Sequence, residues 1–412
     1  MNKHFLIGWL LSFAFWAYSI SWIYDAINYY GAGILLSSSI TFLLIAYLSV
    51  YFGIFLFAID YFKEHQYRFL IIPSVFFILE WLRSWFISGF PWLNLGIMSQ
   101  SLWGLLPVVG VSGTSFLIIL VIALLFQRKK AIISRISASL ILLLLFFGPG
   151  HYQEGGEEEL NITVVQPLDT NMTEIVQITN NANSDLVIWP EAVTVYDQSI
   201  SSLTSGKIVI GGFFREEENY FYTSAINLKT GHFYDKRNLV PFGEFQPFGA
   251  LLENFNDFFN IPNSSLSRGE KNQAKADWSA LICWELAFNS TFINRTRGTK
   301  YIIHMSNDKW YGKSMPAQHL KHAKARAVES NKWVARATLD GISQIISPRS
   351  KESSRILKRG EKGSITHKIT LNDKDTFYLK YGDAPFLIFS ILTLLCLLYT
   401  SPGPRDSSQS RM

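Results

Sequence analysis

The chain has 412 residues, of which 49% are apolar and only 17% charged, with a formal net charge of +5. That length allows two or three domains, and the balance argues against a purely water-soluble protein and towards membrane segments. The positive excess sits in short clusters beside apolar runs, which excludes a nucleic-acid patch as its explanation.

The apolar residues are unevenly spread. Residues 5–24, 31–59, 84–127, 136–153 and 384–404 carry no formal charge, and 68–87 is interrupted only by Glu80 and Arg83. A helix needs roughly 20 apolar residues to cross a bilayer. Five spans are expected before residue 153 and one after 383. Lys3, Lys63, Arg68, Arg128, Lys129, Lys130, Arg135, Arg405 and Arg411 then share one side, while the short loops 25–31 and 88–103 hold no Lys or Arg. Basic loops prefer the cytoplasm, so both termini are expected inside and residues 154–383 outside. The first span has the basic flank of a signal peptide but is long and aromatic without a small-residue cleavage site, which predicts an uncleaved anchor. The expected division is 1–153 for a membrane domain of about five helices, 154–380 for an outer polar domain, 381–404 for a last span and 405–412 for a cytoplasmic tail.

In the membrane part, Glu80 and Arg83 lie three apart on one helical face and can pair with each other or meet a lipid headgroup. Phe90 and Trp92 read as an interfacial aromatic belt, or as the lining of a lipid entry.

Within the polar domain, Ile162–Gln166, Leu186–Trp189, Ile208–Gly212, Ala280–Cys283, Tyr301–Ser306 and Ile342–Ser347 are short apolar or β-branched runs, as buried strands are. Met315–Asn331 has helical character, with Lys321, Lys324 and Arg326 read as a solvated basic face in preference to a headgroup site. Alternating strands and helices predict an α/β fold. Glu191, Cys283 and Asn307 each follow the carboxyl end of a predicted strand, the edge where open α/β sheets bind ligands.

Cys283 and Cys396 are the two cysteines, and Cys396 falls in the last span, so Cys283 is expected to be a free thiol. A cysteine in an apolar strand is by itself a small core residue. Glu191 and Lys236 give it a second reading, as a nucleophile with a carboxylate base and a cation to stabilise charge. The three are far apart along the chain, so folding must bring them together. Asn307 and Trp310 either shape the pocket or belong to a core turn. His304, His319 and His322 fit no zinc spacing, and no metal or dissociable cofactor is expected.

Six motifs occur in order: Ile188-Trp-Pro-Glu191, Lys236 followed by Leu239-Val-Pro-Phe-Gly-Glu244, Ile282-Cys-Trp-Glu285, Ser306-Asn-Asp-Lys-Trp310-Tyr-Gly312, Gln318-His-Leu320 and Arg336-Ala-Thr338. Together with Trp22-Ile-Tyr24, Glu80-Trp-Leu-Arg83 and Gly89-Phe-Pro-Trp-Leu93, the series resembles the apolipoprotein N-acyltransferase family from about residue 8 to 400. The resemblance implies an α-helical transmembrane bundle carrying a nitrilase-like αββα sandwich, in a bacterial inner membrane with the catalytic domain periplasmic. It implies that Cys283 takes an acyl chain from a phospholipid as a thioester and gives it to the amine of a diacylglyceryl-cysteine on a lipoprotein. Glu191 would act as base, and Lys236 with the backbone N–H of Trp284 would hold the oxyanion. Glu244 and Glu285 would orient Lys236 or the entering amine. The implied partners are phospholipid, diacylated lipoprotein and bilayer, with no nucleic acid, and a monomer is expected.

Phe245, Phe248, Leu251, Leu252, Phe255, Phe258, Phe259 and Ile261 crowd one segment, read either as core packing or as an arm that dips into the outer leaflet. Departures from the family pattern are a start two spans later than longer members, no Lys-Trp element after Gln166, Thr223 in place of Asn, and Leu339-Asp-Gly341 in place of an Asn-rich turn. They bear on substrate contacts and leave Glu191, Lys236 and Cys283 intact. Two rival readings are a membrane-anchored nitrilase-type amidase that passes the acyl group to water, and a scaffold indifferent to Cys283.

Overall fold

The computed structural model describes residues 2–29, 31, 33–127, 130–151, 156–245, 266–349 and 352–400. Most of the predicted arm, residues 246–265, and the expected tail lie outside them. A helix stands in each charge-poor window: α1 (Lys3–Ser19), α2 (Trp22–Tyr29), α3 (Gly33–Tyr61), α4 (Arg68–Arg83), α5 (Leu95–Met98), α6 (Leu106–Leu125) and α7 (Ala131–Phe147). Among the described residues, Gly33–Tyr61 and Gln100–Leu125 are long and apolar enough to cross a membrane, while α1 and α2 form a pair bent by 54°. Ala131–Phe147 and Ala384–Leu397 are shorter apolar helices.

Between the last two of these come two sheets. Strands β1 (Glu159–Gln166), β2 (Leu186–Ile188), β3 (Ile208–Glu217), β4 (Tyr220–Asn227), β5 (Phe233–Asp235) and β10 (Gly363–Thr370) form one, in the order β10-β1-β2-β3-β4-β5. The other has β6 (Trp278–Ile282), β7 (Tyr301–Ser306), β8 (Val334–Thr338) and β9 (Gln344–Ile346) in sequence order. Ile162, Val164, Ile188 and Ile210 from the first meet Ala280, Ile282, Ile303, Met305 and Ala335 from the second in one buried cluster. Helix α8 (Met172–Asn181) supplies Ile175 to the cluster on the outer face of the first sheet. The outer face of the second packs against α9 (Asn289–Thr296), α10 (Met315–Ser330) and α11 (Phe377–Tyr381), ahead of α12 (Ala384–Thr400). The architecture is a helical membrane part plus an αββα sandwich, as expected.

The differences from expectation have local causes. Helix α10 stops one residue early because Asn331 takes a left-handed cap at φ 53°. Strand β4 escaped notice because it is half polar, and its pairing with β3 runs through a tight hairpin. Arg336 masks β8. Arg326 is not on a solvated face: it is buried, donating to the carbonyls of Leu286 and Ala287 and to Asn289 Oδ1. Trp92 is not in a lipid-facing belt either. It is 2% exposed, stacks on His322 at 4.5 Å and donates its indole N–H to Gln318. Cys396 is on the exposed surface of α12.

Several bonds join the bundle to the sandwich. Gln318 of α10 accepts indole N–H bonds from Trp22 (3.1 Å) and Trp92 (2.8 Å) and donates to the Ser19 carbonyl (2.7 Å), at the break between α1 and α2. Arg83 donates to the carbonyls of Phe90 and Trp92 and to Asn94, and Glu80 accepts from the Leu95 amide, so both hold the Trp92 loop; their own separation is 4.0 Å. Helix α6 breaks at Gly110 (φ 68°, ψ −178°), and the freed Val111 amide donates to Glu329 of α10 at 2.7 Å. A Cβ at Gly110 would lie 2.1 Å from the Tyr378 ring. Gly110→Ala is therefore expected to cost at least about 1–3 kcal/mol, from the left-handed backbone alone. A thermal unfolding midpoint in detergent equal to that of the unaltered protein would refute this.

Candidate active site

Four strand ends converge on one buried spot. The chain leaves β2 through Trp189-Pro190 and places Glu191 against Gly212 of β3, where a Cβ would come within 2.5 Å of the Pro190 carbonyl. Lys236 follows β5, Cys283 follows β6, and Asn307 follows β7. Cys283 has φ 54°, a left-handed conformation that costs a non-glycine residue strain and lifts it out of the strand. The expected strand accordingly ends one residue earlier.

Lys236 is completely buried, and its Nζ donates to Glu191 Oε1 at 2.8 Å and to Glu244 Oε1 at 2.6 Å. An ammonium has three donors, so one remains for a third acceptor. Glu191 accepts the Asn307 amide on Oε2 at 3.0 Å, and Glu244 accepts the Val240 amide on Oε2 at 2.7 Å. Glu285 touches neither Lys236 nor the thiol. Its Oε1 accepts from the Tyr234 hydroxyl and from the amides of Arg237 and Asn238, and its Oε2 accepts from the Ile282 amide. It thereby ties the residues on either side of Lys236 to the turn that carries Cys283. The Trp284 indole donates to the Asn238 carbonyl in the same loop.

Electrostatics follow from this burial. Glu191 is pushed up to about 7, first by burial and then by Glu244, with Lys236 pulling the other way. Burial alone would lower Lys236, but Glu191, Glu244 and Cys283 hold it well above the ordinary lysine range. The Cys283 thiol is pushed up by burial and by the Glu191 charge, against Lys236. Two carboxylates and one ammonium already leave a net negative cluster, so a free thiolate would add a second uncompensated charge. The thiol is thus neutral at rest, with a base beside it whose pKa lies near neutrality. A carboxylate of that basicity suits proton transfer at physiological pH.

A cavity of about 40 Å³ is lined by Glu191, Glu244, Cys283, Trp310 and Tyr311, and by Ala26 and Ile27 of α2. A far larger one, about 830 Å³, lies among α1, α3, α4 and α6, and its walls include Glu80 and Arg83 but none of the residues around Cys283. Glu191, Glu244 and Cys283 meet at the smaller. Of the predicted arm only Phe245 is described, with Arg268 above its ring at 4.8 Å.

Some residues that build the site escaped the sequence reading of it. Tyr311 Oη is 3.9 Å from Cys283 Sγ. Asp308 is fully buried, accepting from Arg336 at 2.6 Å and from Ser306 at 2.5 Å, with His319 Nδ1 at 3.2 Å. Burial would raise its carboxyl, yet Arg336 and His319 hold it below the usual range. A signal was available: a lone Arg in an otherwise apolar strand must have a buried acidic partner. Among the described residues, no group of three or more His, Cys, Asp or Glu is arranged to hold a metal.

The family profile described as apolipoprotein N-acyltransferase N-terminal domain matches residues 1–124, and the carbon-nitrogen hydrolase profile matches residues 166–376. An apolipoprotein N-acyltransferase from Vibrio parahaemolyticus is 28% identical, with 97% of this chain and 89% of the relative covered. One from Haemophilus influenzae is 28% identical over 95% of this chain and 85% of its own. Among solved structures, an amidase from Nesterenkonia sp. aligns with 57% of this chain and 96% of its own at 17% identity and a TM-score of 0.37. Most of the sandwich, with its buried acid–lysine–thiol cluster, falls within the second profile, which spans just over half the chain, and the helices from α1 into α6 fall within the first: the chain belongs to the carbon-nitrogen hydrolase family, in its apolipoprotein N-acyltransferase branch.

Proposed function

We propose that this membrane protein is an apolipoprotein N-acyltransferase that works through Glu191, Lys236 and Cys283. The observation that carries the reading is the buried Glu191–Lys236–Glu244 ion cluster beside a neutral thiol, in a cavity walled on one side by a membrane-domain helix.

In the first half-reaction Cys283 Sγ attacks the ester carbonyl of a phospholipid as its proton passes to Glu191. The tetrahedral intermediate collapses by breaking the C–O bond, and Glu191 returns the proton to the departing lysophospholipid hydroxyl. The product is a thioester on Cys283. In the second, the amine of a diacylglyceryl-cysteine attacks the thioester, the C–S bond breaks, and an amine proton returns through Glu191 to the thiolate. The third N–H of Lys236 and the amide of Trp284 hold the oxyanion in both steps; losing one such donor typically costs about 3 kcal/mol of barrier. Glu244 fixes Lys236 directly, and Glu285 does so through the loop. Asn307 fixes the Glu191 carboxylate, and Trp310 closes the pocket over the acyl carbonyl.

The same reading sets six spans in a bacterial inner membrane, with 1–153 as the membrane domain, 154–380 as a periplasmic catalytic domain, 381–404 as the last span and 405–412 in the cytoplasm. The basic residues on one side of the bundle support it. The enzyme works as a monomer on lipid and lipoprotein drawn from the bilayer.

Incubating the purified protein with a phospholipid labelled in its acyl chain should yield a hydroxylamine-sensitive adduct, and a chase with a diacylated lipopeptide should move the label to the peptide amine. An equal adduct on Cys283→Ala, or none on the unaltered chain, would sink the mechanism. Label released as free fatty acid, with the lipopeptide unmodified, would make the protein a hydrolase.

The pH profile is a separate check. Glu191 acts in its ionised form, so acyl-enzyme formation should rise as pH climbs through about 7. Glu191→Gln should lower the rate roughly 10²–10⁴-fold and abolish that rise. The same titration persisting in the Glu191→Gln variant would assign it to another group.

A further inference from the structure

The carbonyl of Cys283 points away from solvent into the second sheet, where two imidazoles meet it. His304 Nε2 lies 2.9 Å from that oxygen and His319 Nε2 lies 3.0 Å from it. Both rings are completely buried. The tautomer of His304 follows from its other contact. Arg336 Nη1 is 2.6 Å from His304 Nδ1, and a guanidinium can only donate, so Nδ1 accepts and the ring proton sits on Nε2, facing the Cys283 carbonyl. Arg336 is itself anchored by Asp308 and by the Ile342 carbonyl. A chain of hydrogen bonds therefore runs from a fixed carboxylate to the backbone of the nucleophile.

That carbonyl shares a peptide unit with the Trp284 amide. The unit is planar and trans, so its C=O and N–H point in opposite directions. A carbonyl held towards β7 and α10 therefore fixes the Trp284 N–H in the opposite direction, away from them. The left-handed φ of Cys283 leaves this peptide without the support of strand pairing, and something must hold its orientation.

We propose that His304, backed by Arg336 and flanked by His319, is a positioning residue that sets the oxyanion-holding amide of Trp284 by gripping the carbonyl of the same peptide. It touches no substrate atom and acts only through the backbone. The proposal rests on the acyl-transfer reading above, with Cys283 as nucleophile.

The test compares two reagents that both need the thiol, only one of which needs the oxyanion site. A long-chain aldehyde adds the thiol across its C=O, with sulfur bonding to carbon and the thiol proton ending on the oxygen, which then occupies the oxyanion position. Iodoacetamide alkylates sulfur with loss of iodide and the thiol proton, and makes no oxyanion. His304→Leu removes the grip. His304→Asn keeps a polar group for Arg336 but is too short to span to the Cys283 carbonyl, and serves if the Leu variant fails to fold. His304→Gln can accept from Arg336 and donate to the carbonyl, restoring both contacts.

The Leu and Asn variants should bind the aldehyde roughly 100-fold more weakly, the scale on which misplacing a reacting or stabilising group is felt. Their alkylation rates should stay unchanged, and the Gln variant should bind the aldehyde like the unaltered protein. Aldehyde affinity unchanged in the Leu or Asn variant would overturn the proposal. So would an equal fall in alkylation, because a merely structural role moves both. If the unaltered protein takes neither reagent on Cys283, the acyl-transfer reading itself fails, which is a distinct result.

Discussion

A lysine ammonium with no exposure to water is the constraint on which the catalytic half of the molecule depends. An unpaired charge in that position would be prohibitive, and removing one partner from a buried ion pair typically costs about 3–5 kcal/mol. Lys236 is tolerated because two carboxylates reach it from different segments, Glu191 from the end of β2 and Glu244 from the loop that follows Lys236 itself. The need to satisfy one cation thus pins two parts of the chain together. Glu285, with four donors converging on its oxygens, then locks the same loop to the Cys283 turn. Functional consequences come from the same contacts. Burial and a second carboxylate make Glu191 more basic than a surface glutamate, and burial together with the Glu191 charge keeps the Cys283 thiol protonated.

The bundle and the sandwich are joined by polar groups that broken helices leave open. The interruption between α1 and α2 exposes the Ser19 carbonyl, and the interruption in α6 exposes the Val111 amide. The sandwich answers each from α10, with Gln318 and Glu329. Beside the first of these bonds, Trp16, Trp22, Trp92, Tyr311 and Met315 form a shared apolar cluster. An interface built this way specifies orientation as well as affinity, because a helix break presents its unsatisfied groups at one place only.

Much of this was legible in the residues, unevenly. Short apolar runs located most of the central strands, and the placement of Glu191, Cys283 and Asn307 just beyond them was readable because strand ends are where periodicity stops. Strands that carry a polar or charged side chain inward, such as β8 with Arg336, break the pattern that identifies them. The burial of Trp92 and Arg326 was hidden for a related reason: composition cannot tell an aromatic facing lipid from one facing another domain, or a solvated cation from one matched to carbonyls. The left-handed backbone of Cys283 and the tautomer of His304 depend on neighbours distant in the chain, and no local signal encodes them.

The bend at residues 20–21 has a kinetic consequence under the proposed function. Because α2 turns aside after the break and lends Ala26 and Ile27 to the cavity around Cys283, the acyl donor of the proposed reaction would reach the thiol from the membrane boundary. A donor reaching it there is counted as a mole fraction of the surrounding lipid, whatever the volume of the suspension. Diluting the membrane with inert lipid at constant total donor would then slow the first half-reaction, whereas diluting the suspension with buffer would leave it unchanged.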